Sequence, residues 1–148
     1  SKIVKNGFSS LKILKKNIFA FKKENQNIKL HFDFFHGVGI LDKAIDVLDE
    51  KERNDFRKFV NKNKSFNREN MFICRSKKLM NEYFLSIFTW LEKCEQIFGF
   101  DLKGYAKTRV YTFLAERYIS YWFNKYSNPL CWPVFFFDTN KNKLNLRK

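Results

Sequence analysis

The stretch that decides the fold is residues 70–98, NMFICRSKKLMNEYFLSIFTWLEKCEQIF. Its first five residues, Asn70 to Cys74, are mostly apolar and β-prone, and we expect them to form a short buried strand. Ser76 is a preferred helix N-cap and Gly99 is a natural helix stop, so a helix is predicted between them, ending at about Phe98. Apolar side chains recur on one face of that helix: Met80, Tyr83, Phe84, Ile87, Phe88, Leu91, Cys94 and Phe98.

A second long helix is predicted after this stretch, from about Tyr105 to Lys125. It is apolar or aromatic nearly all round, which is typical of a helix at the centre of a domain. Upstream, the alternating residues Ile28 to Phe35 predict a strand. Shorter elements complete the chain: a basic amphipathic helix over residues 11–23, helices opening at Asp42 and Asp49, a strand over residues 133–137 and a frayed tail from Asn140.

The chain is long enough for one domain with a substantial core. It has 148 residues, 45% of them apolar, and 19 are Phe. The net charge of +14 is concentrated at the ends, with +7 in residues 1–30 and +4 in residues 141–148, which leaves +3 for residues 31–140. These ranges define a basic amphipathic N-terminal segment, a single domain and a basic tail. Basic ends suggest an anionic partner, such as a membrane surface or a nucleic acid, while a Lys- and Asn-rich composition is the alternative explanation.

The motifs of several functional classes do not occur in the sequence. The three cysteines lack Cys-x-x-Cys spacing and predict buried thiols in a reducing compartment. We expect neither a membrane span nor a secretory signal. The sequence contains no G-x-G-x-x-G, Walker or G-x-S-x-G motif, so independent nucleotide binding is not expected. His31, Asp33 and His36 lie close together, but their spacing makes a poor metal site, and we expect no metal or cofactor in this chain.

One ordered set of motifs resembles a known family. In chain order the motifs are Asn-Met-Phe-Ile at 70–73, Glu82-Tyr83, Trp90-Leu91, Glu116-Arg117 and Trp122-Phe123. They resemble the domain of unknown function 4422, which is found in glycosyltransferases of bacterial capsular polysaccharide and lipopolysaccharide synthesis. The resemblance covers Phe32 to Asp138. Members usually begin with an α/β half that binds the sugar nucleotide, and nothing here matches it, so the chain resembles the C-terminal portion of such an enzyme or a truncated relative.

The resemblance implies a fold, an activity and partners. The implied fold is helix-dominated α/β, similar to the C-terminal part of a GT-A-like glycosyltransferase with few short strands. The implied donor is a sugar nucleotide and the acceptor is a glycan or a lipid-linked molecule. The implied location is cytoplasmic, peripheral on the inner membrane face through the basic ends. No Asp-x-Asp pair, the usual metal–diphosphate ligand of GT-A enzymes, occurs in this sequence.

A polar stripe on the second long helix is the main candidate site. It recurs at helical spacing and consists of Tyr105, Arg109, Thr112, Glu116 and Ser120. A polar stripe on an apolar helix must face a partner or a cavity, because unpaired buried polar groups are costly. One interpretation is a sugar-binding wall, in which Arg109 binds phosphate or a hydroxyl and Glu116 is the catalytic base. The other is a buried ion-pair network that sets the register of the helix.

Three further residues are candidates for substrate binding. The Asn70 amide, at the start of the predicted strand, can donate and accept toward a pair of hydroxyls, or it can bond its own backbone in a turn. His36 precedes Gly37 in a predicted loop where an imidazole can approach a ligand, or it is an ordinary loop residue. Arg117 belongs to the family-like motif, but it lies about 100° round the helix from Glu116, and we expect it to anchor a neighbouring element.

Three functions remain open at this point. The first is a glycosyltransferase, or its acceptor-side part, in surface polysaccharide synthesis. The second is a non-enzymatic basic module that binds a membrane or a nucleic acid. Nucleic acid is the less favoured partner, because the excess charge is terminal and is not spread over a folded face. The third is an inactive, truncated remnant of the transferase.

Overall fold

Six helices and a two-stranded ribbon account for the secondary structure of the described part of the chain, which is residues 26–131, 135–138 and 143–146 of the computed structural model. The helices are α1 (Ile28–His36), α2 (Ile40–Asp46), α3 (Glu50–Lys62), α4 (Lys77–Phe98), α5 (Tyr105–Thr108) and α6 (Val110–Tyr126). Strand β1 (Phe135–Asp138) pairs antiparallel with β2 (Lys143–Leu146). The predicted dominance of helices is confirmed. The helix predicted over residues 11–23 lies outside the described residues.

The two longest helices, α4 and α6, form an antiparallel pair at the centre of the structure. Near one end of the pair the ring centroids of Tyr83 and Trp122 are 5.4 Å apart. Further along, the Trp90 ring stacks on Tyr118 at 4.6 Å. Large aromatic side chains fill this interface because each buries much apolar area while its polar tip can find a hydrogen-bond partner.

Helices α2 and α3 cover one side of the central pair. Phe56 of α3 is completely buried and meets Trp90 and Tyr118 edge-on, at 5.7 and 5.5 Å. The Trp90 indole donates to the Ala44 carbonyl of α2 at 2.6 Å, so its buried N–H is satisfied. The core therefore joins four helices through aromatic contacts and one directed hydrogen bond.

Local capping signals placed the start of α3 and both ends of α4 as predicted. The Ser76 side chain accepts a hydrogen bond from the Leu79 amide, and α4 begins at the next residue. The Asp49 side chain caps α3 in the same way through the Glu52 amide. Gly99, with a φ of 63°, ends α4. The Ser76 and Asp49 side chains satisfy backbone N–H groups that have no partner within the helix, and the Gly99 amide donates to the Glu95 carbonyl.

The strand predicted over Ile28 to Phe35 is wrong, because these residues form helix α1. The Asn27 side chain caps the helix by accepting a hydrogen bond from the Leu30 amide. Ile28 and Phe32 are buried, and their separation of four residues puts both on the face that packs against the core. The apolar residues of this segment fit both a period of two and a helical period, and the cap and the core select the helix.

The strand predicted over Asn70 to Cys74 is also wrong, because this segment is irregular. Asn70 has a left-handed φ of 49°, and Met71 and Ile73 are 60% and 98% exposed. Phe72 turns inward, and its ring lies 5.3 Å from that of Tyr83. The segment does not pair with any strand of the described residues. It is held against α6 by an isolated hydrogen bond from the Asn70 amide to the Thr112 carbonyl.

The buried face of α4 is rotated from the predicted one. The residues buried in the structure are Tyr83, Ile87, Trp90 and Cys94. Phe84 and Phe88, predicted to face the core, are 37% and 63% exposed. The helix has more apolar positions than one face can bury, so the sequence pattern alone could not select among them.

Three other boundaries differ from the prediction. The second long helix is interrupted at Arg109, which separates α5 from α6. The helix expected to open at Asp42 begins earlier, at Ile40. The tail expected to fray from Asn140 contains β2. In the described part of the chain, none of the helices combines the length and the apolar character that crossing a bilayer requires.

Candidate functional site

Arg117 lies at the centre of a buried polar network on α6. Only 1% of this residue is exposed. Its Nη1 atom donates to the Phe113 carbonyl at 3.0 Å and to Glu116 Oε2 at 2.8 Å. Burial lowers the pKa of the guanidinium to about 10, although the Glu116 carboxylate acts in the opposite direction. Arg117 therefore remains charged at neutral pH, and Glu116 stabilises that charge.

The same guanidinium connects α6 to α1. Its Nη2 atom lies 3.2 Å from His31 Nδ1 and 3.4 Å from His36 Nε2. A guanidinium only donates, so both imidazole nitrogens accept, and this assigns the proton to the other nitrogen of each neutral ring. The Phe66 ring covers the guanidinium, with its centroid 4.2 Å from Cζ. Arg117 thus anchors α1 and the segment after α3, as the sequence suggested for this residue.

His36 is a neutral member of the network. Its ring stacks on Phe113 with 3.9 Å between centroids. Burial, and then the charge of Arg117, lower the pKa of His36 to about 4. Its Nδ1 atom is buried and has no hydrogen-bond partner among the described residues. His36 was predicted to lie in a loop, but it is the last residue of α1 and its ring packs against α6.

Glu116 holds the segment that follows α3. Its Oε1 atom accepts from the Glu69 amide at 3.3 Å, and its side chain is 12% exposed. One turn further along α6, the Ser120 hydroxyl accepts from the Asn67 amide at 2.8 Å. Both bonds keep residues 67–70 beside α6 although Glu69 has a left-handed φ of 73°. Such a conformation persists where surrounding contacts hold it.

Asn70 lies at the edge of this segment, and only the nitrogen of its side-chain amide makes a hydrogen bond to the described residues. Its Nδ2 atom donates to the Thr112 carbonyl at 3.2 Å. Its Oδ1 atom is buried and accepts no hydrogen bond from the described residues. A buried acceptor without a donor costs roughly 1–3 kcal/mol. A ligand hydroxyl or amide that reached this oxygen would remove that cost.

Arg109 is exposed and is held between two aromatic rings. Its Cζ atom lies 5.1 Å from the Tyr105 ring centroid and 5.4 Å from that of Phe113. Its Nη1 atom also donates to the Tyr105 hydroxyl. No carboxylate of the described residues lies within 4.0 Å of it. The remaining N–H groups are therefore available to an anion, and the rings restrict the orientation of the guanidinium.

The predicted stripe divides into two parts. Glu116 and Ser120 are bound to residues 67–70, while Tyr105 is 70% exposed and Arg109 and Thr112 face solvent. Contacts join the two parts, because the Phe113 ring touches both His36 and Arg109. The structure thus brings all the sequence-predicted site residues to one flank of α6.

Asp33, which the sequence placed close to His31 and His36, has other partners. It pairs with Lys29 at 2.5 Å and accepts from the Gly39 amide at 3.2 Å. Over residues 26–131, 135–138 and 143–146, no group of three or more His, Cys, Asp or Glu side chains could hold a metal ion.

A second polar cluster was not predicted from the sequence. Glu52 of α3 accepts from the Tyr121 hydroxyl at 2.6 Å and from Lys125 at 2.5 Å, and also from the Tyr126 hydroxyl. Burial opposes ionisation of Glu52, but these hydrogen bonds outweigh it and lower its pKa below the usual range. The available signal was the i, i+4 spacing of Tyr121 and Lys125 on an otherwise apolar helix. The cluster ties α3 to the C-terminal half of α6.

An apolar groove on the outer side of α4 was also missed. Its volume is about 750 Å³, and Leu85 and Phe88 in it are 73% and 63% exposed. Its lining consists of Asn81, Phe84, Leu85, Phe88, Thr89, Leu91, Glu92, Glu95, Phe100 and Tyr111. Exposed apolar surface of this kind commonly marks a binding site. Neither this groove nor a smaller cavity of about 240 Å³ between α3 and α6 is lined by Glu116 or Arg109.

The fold and this site describe a helical domain with a buried ion-pair network beside an exposed, ring-stacked cation. A family model described as a domain of unknown function (DUF4422) matches residues 3–128, and the chain belongs to this family. The match begins at residue 3, whereas the resemblance inferred from the sequence motifs began at Phe32. No curated protein and no solved structure gave a match.

Proposed function

We propose that this chain is a glycosyltransferase, or the acceptor-side part of one, in bacterial surface polysaccharide synthesis. Family membership supports the proposal through the resemblance described above. The observation that carries it is the unsatisfied Oδ1 atom of Asn70, a residue whose Nδ2 atom donates to the Thr112 carbonyl and which follows Glu69, whose amide donates to Glu116. In this proposal the Asn70 acceptor and the Glu116 carboxylate bind the sugar, and the exposed Arg109 binds a phosphate. An amide oxygen and a carboxylate can accept hydrogen bonds from sugar hydroxyls, and a guanidinium can bind a phosphate.

The proposed catalytic residue is Glu116, as the base that takes the proton from an acceptor hydroxyl. The Glu69 amide and Arg117 each hold one of its carboxylate oxygens, so the orientation of the carboxylate is set before a substrate arrives. Asn70 and Thr112 would bind neighbouring hydroxyls. Fixing the base and the hydroxyl in reacting geometry is the part of general base catalysis that a protein supplies.

The buried residues of the network have a positioning role in this proposal. Arg117 is too deeply buried to touch a substrate, so it acts through Glu116. His36 supports Phe113, on which Arg109 stacks. The proposed donor is a sugar nucleotide, and no residue of the described chain is assigned to it. The proposed location is the cytoplasmic face of the inner membrane.

The test is sugar transfer by the full chain from a panel of radiolabelled sugar nucleotides. Glu116→Gln keeps the shape of the side chain and removes the base, so transfer should fall about 100-fold or more. Because Glu116 also stabilises the buried charge of Arg117, the Tm should fall as well, so transfer is expressed per folded molecule. The matched control is Glu50→Gln, which changes an exposed carboxylate on α3 and should transfer normally.

Three results would argue against the proposal. Absence of transfer by the wild-type chain with every donor would leave an inactive remnant or a binding module. A large drop in the Tm of Glu116→Gln with normal transfer per folded molecule would make Glu116 only a structural ion-pair partner. Salt-sensitive binding to anionic vesicles without any transfer would favour the basic membrane-binding module.

A further inference from the structure

Helix α4 carries two regularly spaced stripes of side chains on opposite sides. The buried stripe packs in the core and consists of Tyr83, Ile87, Trp90 and Cys94. Two residues before each of these positions lies a member of a second stripe, and two residues correspond to about 200° round a helix. This outer stripe is exposed throughout, and it consists of Lys78, Asn81, Leu85, Phe88, Glu92 and Glu95.

The outer stripe has the spacing of a surface that packs against another helix. Its positions are alternately three and four residues apart, as the a and d positions of a coiled coil are. At its centre Leu85 and Phe88 are 73% and 63% exposed. Both line the groove of about 750 Å³, so this surface is concave as well as apolar. Exposed apolar surface that is rimmed by polar residues commonly marks a protein interface.

We propose that the outer stripe binds a second copy of this chain, whose α4 lies antiparallel to the first about a two-fold axis. The axis passes between Leu85 and Phe88, at the midpoint of the stripe. Leu85 of each copy then lies opposite Phe88 of the other. Such an interface is isologous, because the same surface of both copies forms it.

The charges of the outer stripe complement themselves in this arrangement. Lys78 makes its N-terminal end basic, and Glu92 and Glu95 make its C-terminal end acidic. The antiparallel copy places Lys78 opposite Glu95 and Asn81 opposite Glu92, and each pair occurs twice by symmetry. An ammonium or an amide nitrogen donates favourably to a carboxylate, whereas a parallel, in-register copy would place like charges together.

The charged groups of the stripe are available to a second chain. The Lys78 side chain is 87% exposed, and its ammonium lies 4.0 Å from Glu82, at the limit of an ion pair. Among the described residues no Lys or Arg lies within 4.0 Å of Glu92 or Glu95. Exposed ion pairs add little affinity, but they select the orientation of partners. The apolar centre therefore supplies the attraction, and the ends of the stripe set the antiparallel direction.

The basic N-terminal segment, residues 11–23, is the main alternative occupant, because its lysines also complement Glu92 and Glu95. It contains no carboxylate for Lys78, whereas a second copy complements both ends of the stripe. An anionic bilayer would be repelled by the two glutamates. A second copy is thus the occupant that uses every position of the stripe.

The size of the surface predicts a reversible dimer. The stripe runs from residue 78 to residue 95, a length of about 26 Å along the helix. Its apolar contacts centre on Leu85 and Phe88 of each copy, so the interface is at the small end of specific protein interfaces. We expect a dissociation constant of about 1–100 μM.

The test is sedimentation equilibrium of the full chain with two charge-reversal variants, Lys78→Glu and Glu95→Lys. Each variant alone should self-associate at least about tenfold more weakly than the wild type, because like charges then meet at both ends of the dimer. An equimolar mixture of the two variants should dimerise again, since one chain is then acidic at both ends of the stripe and the other is basic. This rescue requires residue 78 of one chain to lie near residue 95 of another.

The controls separate a change of charge or apolarity from the interface itself. Lys93→Glu reverses an exposed charge of α4 outside the outer stripe and should leave the dimer unchanged. Phe88→Asp should abolish dimers, and it should fold normally because Phe88 is 63% exposed. Its matched control is Leu130→Asp, at an exposed apolar position outside the groove, which should dimerise as the wild type does.

Several outcomes would overturn the proposal. A wild-type chain that stays monomeric up to about 500 μM has no such interface. Dimers that survive Phe88→Asp would form through another surface, and failure of the mixed variants to dimerise would exclude the antiparallel arrangement. A monomeric wild type in which Phe88→Asp speeds tryptic cleavage within residues 11–23 would make the N-terminal segment the occupant. Binding of a monomer to anionic vesicles that depends on Phe88 would make the groove a membrane contact.

Discussion

Acidification from pH 7 to pH 5 should destabilise this protein through His36. The pKa of His36 is lowered from 6.5 to about 4 in the folded chain, by burial and then by the charge of Arg117. Between these values the unfolded chain binds a proton that the folded chain does not. Stability is therefore fully present above about pH 6.5 and declines as the pH falls toward 4.

The size of the effect follows from the shift in pKa. One unit corresponds to about 1.36 kcal/mol, so the full shift is worth about 3 kcal/mol at low pH. Between pH 7 and pH 5 only about 2 kcal/mol of this is accessible, because the unfolded imidazole titrates over part of the range. His36 is only partly buried, and screening by water reduces the expected loss to about 1 kcal/mol. This corresponds to a decrease in Tm of about 2–4 °C.

The assay is urea unfolding of the wild type and of His36→Gln at pH 7, 6 and 5. The Gln side chain can accept a hydrogen bond from Arg117 but does not titrate. The wild type should lose about 1 kcal/mol more than the variant over this range. Carboxylates that titrate at the acid end are common to both proteins and cancel in the comparison. Parallel losses in the two proteins would refute the argument that His36 is neutral and buried beside a cation.

Two further predictions concern packing and backbone geometry. Phe56→Ala, at a fully buried position, should reduce the free energy of unfolding by about 3–5 kcal/mol. Phe88→Ala, at 63% exposure, should cost less than about 1 kcal/mol, and equal losses in urea unfolding would contradict the observed face of α4. Gly37→Ala should cost about 1–3 kcal/mol in the same assay, since Gly37 has a φ of 114° and an added Cβ would lie 2.9 Å from Ile40 Cδ1. Wild-type stability in this variant would show that the turn can relax.

The boundaries of α3 and α4 were predictable because their causes are local. Ser76 and Asp49 each cap a helix through an amide three residues ahead, and Gly99 supplies a left-handed φ. Such contacts involve only neighbours in the chain. The prediction for α1 was wrong because its cause is not local. The apolar pattern of this segment fits both a strand and a helix, and only the packing of Ile28 and Phe32 against the core selects the helix.

The candidate site was partly predictable. Helical spacing placed Arg109, Thr112 and Glu116 on one stripe, and the structure keeps them on one flank of α6. The partners of the stripe could not be predicted, because they come from far away in the sequence. His36 and Asn70 reach α6 across 81 and 42 positions, through Arg117 and the Thr112 carbonyl.

The sequence by itself determined that long helices form the centre of the domain, where α3 and α4 begin and end, and which polar residues interrupt α6. Periodicity and capping are properties of short segments, so they can be taken from the chain directly. Only the tertiary structure decided that Arg117 is buried between two imidazoles while Arg109 remains exposed, and that Phe88 faces water. Burial depends on which elements pack together, and identical side chains therefore differ in charge environment and exposure once the chain is folded.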